Sequence, residues 1–183
     1  MLLRRLLTPL QLRVSRRAFS DVSTPVLATC LRDIARSGPR VVELQLSKSN
    51  DLVCRQLMCE HVGDACACRL ALALERVPRL HALDLSNNQL RGLPDAVFAL
   101  ERLQTLDIQR NRLTTLPMDV EKLIELESLD VSYNQLKTLP VEQLETLKNL
   151  KELRVAGNEE LIQAIEDQTL SMSEQLRDKI ILK

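Results

Sequence analysis

Cys54, Cys59, His61, Cys66 and Cys68 fall within fifteen positions. Thiolates and an imidazole are zinc ligands, so the chemistry on offer would be tetrahedral metal binding. The spacing C-x4-C-x-H-x4-C-x-C matches no common zinc pattern, however. A C-x-C pair on a helix also points its two thiols apart. The first reading is structural cysteine, since free Cys is often a buried small residue; a metal site and a redox or disulfide role are the alternatives. Five Cys in all is an odd number, which does not suit a fully paired disulfide framework. His81 is the only other histidine, and it stands alone. No Ser, Cys or Thr comes with a paired His and an orienting acid at recognisable spacing. No catalytic residue, no cofactor and no metal is therefore expected.

A second set of residues recurs at a fixed interval. Asp84, Asp107 and Asp130 are 23 residues apart, and Arg154 follows 24 later. Three residues after the first three come Asn87, Arg110 and Tyr133. The chemistry here is recognition. Arg and Tyr are the side chains that most often dominate interface energies, and a row of Asp favours Lys or Arg on a partner. The candidate partner-binding set is Asp84, Asn87, Asp107, Arg110, Asp130, Tyr133 and Arg154.

These residues must be positioned by a repeat. The chain reads LHALDLSNNQLRGLP from Leu80, LQTLDIQRNRLTTLP from Leu103 and LESLDVSYNQLKTLP from Leu126; from Leu150 it reads LKELRVAGN and then departs. With the leading Leu as position 0, apolar residues fill positions 0, 3, 5, 10 and 13 of the first three units. Asn fills position 8 as Asn88, Asn111, Asn134 and Asn158, and Pro94, Pro117 and Pro140 close the units. This resembles the leucine-rich-repeat family, in its short class whose units end in Leu-Pro. The resemblance implies an α/β solenoid, a right-handed curved horseshoe of about five turns with parallel concave strands and helical caps. Leu-Asp-Leu-Ser is also a common wording of that repeat, so the Asp column is equally readable as a family default with no partner.

The pattern has a physical basis. One unit cannot bury its Leu residues alone and needs stacked neighbours. Alternation at positions 3 and 5 makes a short strand, with Leu83/Leu85, Leu106/Ile108 and Leu129/Val131 pointing inward. The bend at position 8 takes backbone groups away from water, where unpaired groups are costly; an Asn amide donates and accepts at once. Residues at positions 2, 4, 6 and 7 are expected to face outward on the concave side, over a sheet about 20–25 Å long at ~4.8 Å per strand.

The repeats are expected over 41–158. Residues 24–38 read as an N-terminal cap helix ended by Gly38-Pro39. Val41, Leu44 and Leu46 repeat the strand pattern, with Ser49 in place of Asn. The next unit starts 39 residues after Val41, leaving room for a helix near 65–80. That long unit resembles the ribonuclease-inhibitor class. Residues 159–183 read as a helical cap: one helix with Leu161, Ile162 and Ile165, then a capping-box pattern at Ser171-Met172-Ser173-Glu174 before a second with Leu176 and Ile180. A partner-binding tail is the alternative.

Composition narrows the function. Lys+Arg and Asp+Glu are 25 each, there is no Trp, and Gly numbers 4. Direct nucleic-acid binding and Gly-rich phosphate loops are therefore not expected, and no apolar run approaches the ~18 residues of a membrane span. The charge is uneven. Residues 1–19 hold Arg4, Arg5, Arg13, Arg16 and Arg17 and no acid. Their Leu3, Leu6, Leu7, Leu10 and Val14 share a helical face, although Pro9 weakens the helix. This is the composition of a mitochondrial presequence, and Arg17-Ala18-Phe19-Ser20 resembles a cleavage site cut after Phe19. The expectation is a presequence at 1–19 and a repeat domain at 20–183, on the matrix side of a mitochondrion. A cytoplasmic protein with a basic tail is the alternative. The expected function is a non-enzymatic module or adaptor that binds a peptide or helix of a protein partner on its concave face, where the Asp column would suit a basic segment. The alternative is a structural subunit of a larger mitochondrial assembly.

Overall fold

The computed structural model describes residues 24–54 and 67–182. The expected presequence at 1–19 and its cut after Phe19 lie outside these residues, as do Cys59, His61 and Cys66.

Every repeat delivers one short strand to a single parallel sheet. The strands are β1 (Val26–Ala28), β2 (Val41–Gln45), β3 (Ala82–Asp84), β4 (Thr105–Asp107), β5 (Ser128–Asp130), β6 (Glu152–Arg154) and β7 (Ile180–Ile181), in the order of the chain. The register is exact along the centre: Leu44, Leu83, Leu106, Leu129 and Leu153 are neighbours in turn, and so are Gln45, Asp84, Asp107, Asp130 and Arg154. The first column is buried and forms the spine of one continuous core with Leu85, Ile108 and Val131. The chain is thus an α/β solenoid with parallel strands.

The returns opposite the sheet begin at the Leu-Pro pairs. Pro94, Pro117 and Pro140 are the N-caps of α3 (Asp95–Phe98), a 3₁₀ turn (Met118–Lys122) and α4 (Val141–Thr146). Proline presets φ and supplies no N–H where a helix start needs none. The long unit carries α2 (Ala67–Leu74), which buries Leu70, Ala73 and Leu74. Its start differs from the later units: Ser49 accepts from the Asp51 amide and caps a 3₁₀ turn (Asn50–Leu52).

Both caps differ from expectation. Residues 24–38 are not one helix. Val26–Ala28 extends the sheet, and α1 (Leu31–Ser37) starts after it. The break is held by carboxylates: the Thr29 amide donates to Asp33 Oδ2 at 3.2 Å and the Leu31 amide to Asp51 Oδ2 at 2.8 Å. At the other end α5 (Glu159–Glu166) buries Leu161 and Ile165. The capping residue of α6 (Glu174–Arg177) is Ser173, which accepts from the Leu176 amide, so the box pattern was two residues out of register. Ile180 lies on β7 and not on this helix, because pairing with Leu153 completes the sheet edge. Among the described residues the sheet has seven strands, and at ~4.8 Å per strand it is about 29 Å long.

Candidate functional site

Position 8 builds the floor on which the site stands. Each Asn side chain is buried and reaches back one turn. Asn111 Nδ2 donates to Leu85 O at 3.0 Å and to Ile108 O at 2.9 Å, while its Oδ1 accepts from the Leu90 amide at 2.9 Å and the Asn88 amide at 3.2 Å. Asn88, Asn134 and Asn158 repeat this with Leu46 and Ser49, with Ile108 and Leu113, and with Val131 and Leu136. The amides bond backbone rather than each other. Among the described residues no buried side-chain polar atom lacks a partner.

The Asp column has an internal task. Asp84 Oδ1 accepts from the Ser86 amide at 2.8 Å, Asp107 Oδ1 from Gln109 at 3.0 Å and Asp130 Oδ1 from Ser132 at 2.9 Å. These are Asx turns that start the bend out of each strand. Position 6 departs in part from the expectation that it faces outward: Ser86, Ser132 and Ala156 are buried, Gln109 is half-buried and Ser47 is exposed. The Asp residues themselves stay half-buried on the concave face. Burial pushes the Asp107 carboxyl up; hydrogen bonds from Gln109 pull it down, and the charges of Asp130 and Asp84 push it up further. Arg154, at the end of the row, is paired with Glu152 at 3.0 Å.

Position 7 carries the strongest recognition feature. Lys48, Asn87, Arg110, Tyr133 and Gly157 all have left-handed φ, between 51° and 67°. A non-glycine residue in this region is uncommon, so four in one column, with Gly157 as the fifth member, mean that the turn geometry dictates it. The bend turns these side chains up along the rim of the sheet. The Arg110 guanidinium lies 4.7 Å from the centre of the Tyr133 ring. Tyr133 in turn lies over Gly157: a Cβ there would come within 2.9 Å of Tyr133 Cε1, and closer still to Cδ1. Tyr133 is nevertheless 51% exposed. A groove lined by Lys48, Asn87 and Arg110 continues the rim toward the first repeat. The sequence column at this position runs Lys48, Asn87, Arg110, Tyr133 and Gly157, with Arg110 and Tyr133 paired; what it does not give is Gly157 as the seat of the ring. The shared positive φ has no sequence signal beyond the single glycine.

Of the cysteine cluster, Cys54 is buried and Cys68 is exposed on α2. Among the described residues no group of three or more His, Cys, Asp and Glu side chains is placed to hold a metal ion. No helix among them is long and apolar enough to cross a membrane.

Residues 78–136 match the family described as leucine rich repeat. No curated protein matches the chain by sequence. Among solved structures, the chain is similar to a leucine-rich-repeat protein of Leptospira interrogans, at 24% identity and a TM-score of 0.52, over 75% of this chain and 30% of that one. It is also similar to InlP of Listeria monocytogenes, at 21% identity and a TM-score of 0.52, over 79% of this chain and 39% of that one. The chain thus spans well under half the length of either structure, and the likeness is one of fold. With its Leu columns and its backward-reaching Asn residues, the stretch 78–136 reads as leucine-rich repeats, and the chain around it shares the solenoid fold of such proteins.

Proposed function

We propose that the chain is a non-enzymatic protein-interaction module that holds a helix or extended segment of a protein partner against the concave face. The observation that supports this reading is the Arg110–Tyr133–Gly157 stack. It presents two residue types favoured at interface hot spots on a rigid rim, so little side-chain entropy is lost on binding. Asp84, Asp107 and Asp130 run beside it, each with one oxygen engaged in a turn, the second oxygen of Asp107 accepting from Gln109 Nε2 at 2.9 Å, and none with a cationic partner in any ion pair among the described residues. A basic segment of the partner would relieve their mutual repulsion. Asn87 and Arg154 frame the two ends of this surface. The test is calorimetric titration of a partner recovered by affinity purification with the intact chain, using Tyr133→Ala and Glu121→Ala. Weakened binding by the first and unchanged binding by the second supports the assignment. The reverse result places the partner on the outer face and ends it.

We further propose matrix-side mitochondrial location, with a mature start at or near Ser20. Support comes from the acid-free, Arg-rich stretch at 1–19. A permanent place in a larger mitochondrial assembly is the second reading that this stretch favours. N-terminal sequencing of the protein from its native cells tests the location: an intact Met1 or Leu2 terminus recovered from cytosol removes it. Native size exclusion separates the readings, since a fixed subunit runs only at high mass.

A further inference from the structure

Among the described residues, five large apolar side chains are exposed: Leu27, Leu72, Met118, Ile124 and Tyr133. Three of them sit on the returns, opposite the sheet. Leu72 on α2 is 66% exposed, Met118 at the start of the 3₁₀ turn 71%, and Ile124 just after it 61%. Contiguous exposed apolar surface marks an interaction site more often than isolated residues do. A groove between α2 and α3 is lined by Leu74, Pro78, Ala96, Ala99 and Leu100 along with Glu75 and Asp95.

The two ends of this outer face are complementary. At one end, Leu31, Ile34, Leu72 and Ala73 floor a groove between α1 and α2, rimmed by Arg69 and Arg76. Residues 31–37 and 67–76 together carry four arginines against two carboxylates. At the other end, Met118 and Ile124 project beside Asp119, Glu121 and Glu125, with Lys122 as the one cation, already paired with Asp119. A cationic apolar groove and an anionic apolar projection thus lie on the same face of one chain. α3 sits between them, in contact with both α2 and the 3₁₀ turn.

We propose that this outer face binds a second copy of the chain, back to back and antiparallel, about a two-fold axis near α3. Such an axis brings the groove of each copy onto the Met118–Ile124 projection of the other, twice over, which is how an isologous interface closes on itself. Small residues at Ala96 and Ala99 let the two faces approach at the axis. The concave rims point outward from the pair and remain free for partners, so this inference stands apart from the proposed concave site.

Sedimentation equilibrium of the intact chain tests it. The parent is expected to be a dimer, with Leu72→Asp and Met118→Asp each raising the dissociation constant more than tenfold while circular dichroism melts stay cooperative. Arg76→Glu alone and Glu121→Arg alone are each expected to weaken the dimer several-fold, and the combined variant to recover most of it, because the two reversals restore opposite charge across the interface. A parent that is monomeric at 100 µM (roughly a hundredfold above a micromolar dissociation constant) overturns the proposal. So does a dimer indifferent to both Leu72→Asp and Met118→Asp.

Discussion

The Tyr133 ring is held between two positions of its own column, with the Arg110 guanidinium 4.7 Å from its centre and the bare Cα of Gly157 beneath it. An exposed aromatic side chain normally samples several rotamers. Here the neighbours on both sides restrict it, one by attraction of a cation to the ring face and the other by leaving room that any side chain would fill. The following expectations draw on this stack and on the columns that support it.

Gly157→Ala should destabilise the chain by about 1–2 kcal/mol from left-handed backbone strain alone, and should also push the ring off its seat. Tyr133→Ala removes the collision. A double-mutant cycle in urea should therefore show Gly157→Ala costing less in the Tyr133→Ala background than in the parent. Simple additivity would mean that the ring does not rest on this glycine.

Arg110→Ala and Tyr133→Ala should each weaken partner binding by about 1–3 kcal/mol without unfolding the chain. Because the residues touch, their effects should not add. Titration of the parent, both single variants and the pair with one recovered partner gives the answer; equal binding by all four would rule the rim out.

Asn111→Ala should cost about 1–3 kcal/mol or somewhat more, since it leaves the Leu90 and Asn88 amides without their acceptor. Leu106→Ala should cost about 2–5 kcal/mol through a cavity in the spine of the core. Urea denaturation measures both. If the two variants unfold with the parent, neither column holds the fold.

Asp107 gives a prediction in pH. Its carboxyl is raised chiefly by burial, so the folded chain binds this proton more tightly than the unfolded chain does. The stabilising contribution of the protonated form is full below the unfolded value of about 3.9. It is lost as pH rises through the raised folded value, and at neutral pH the charge is a cost. Asp107→Asn keeps an oxygen for the Gln109 amide and drops the charge. The variant should be more stable than the parent at pH 7, by a margin that shrinks toward pH 4. Urea midpoints at the two pH values decide it; a parent more stable at pH 7 would contradict the burial argument. Asp107→Lys, by contrast, removes both the charge and the turn. Its binding defect should include a slower, salt-sensitive association.

The repeat itself was fully legible, because Leu, Asn and Pro recur in register and each type has one physical task. The caps were less so. Val26–Ala28 is three residues long, and its central Leu27 happens to fall at helical spacing with Leu31 and Ile34. What decides for a strand is the pairing edge offered by β2 and the carboxylates of Asp33 and Asp51, and Asp51 is twenty residues from the amide that it caps. Ile180 was assigned to a helix for the same reason: its pairing partner, Leu153, lies in another repeat. Within the site, Asp84, Asp107 and Asp130 stood out as a column. Nothing in their spacing said that each spends one oxygen on its own turn. Position 6 was misassigned at Ser86 and Ser132, where alternation continues only until the Asx turn breaks it. The outer face went unnoticed because Leu72, Met118 and Ile124 belong to no column at all.

The Asn residues all reach in one direction. Asn88, Asn111, Asn134 and Asn158 each complete the turn that precedes them. A ribosome releases this chain from its N-terminus, so every turn leaves with its bend unfinished and waits for the asparagine of the next. Growth of the solenoid is thereby tied to the order of synthesis. A chain stalled between Leu136 and Asn158 would present an orphaned amide at its newest edge, and a truncation from the C-terminal end should be harder to tolerate than one of equal length that removes whole turns from the other.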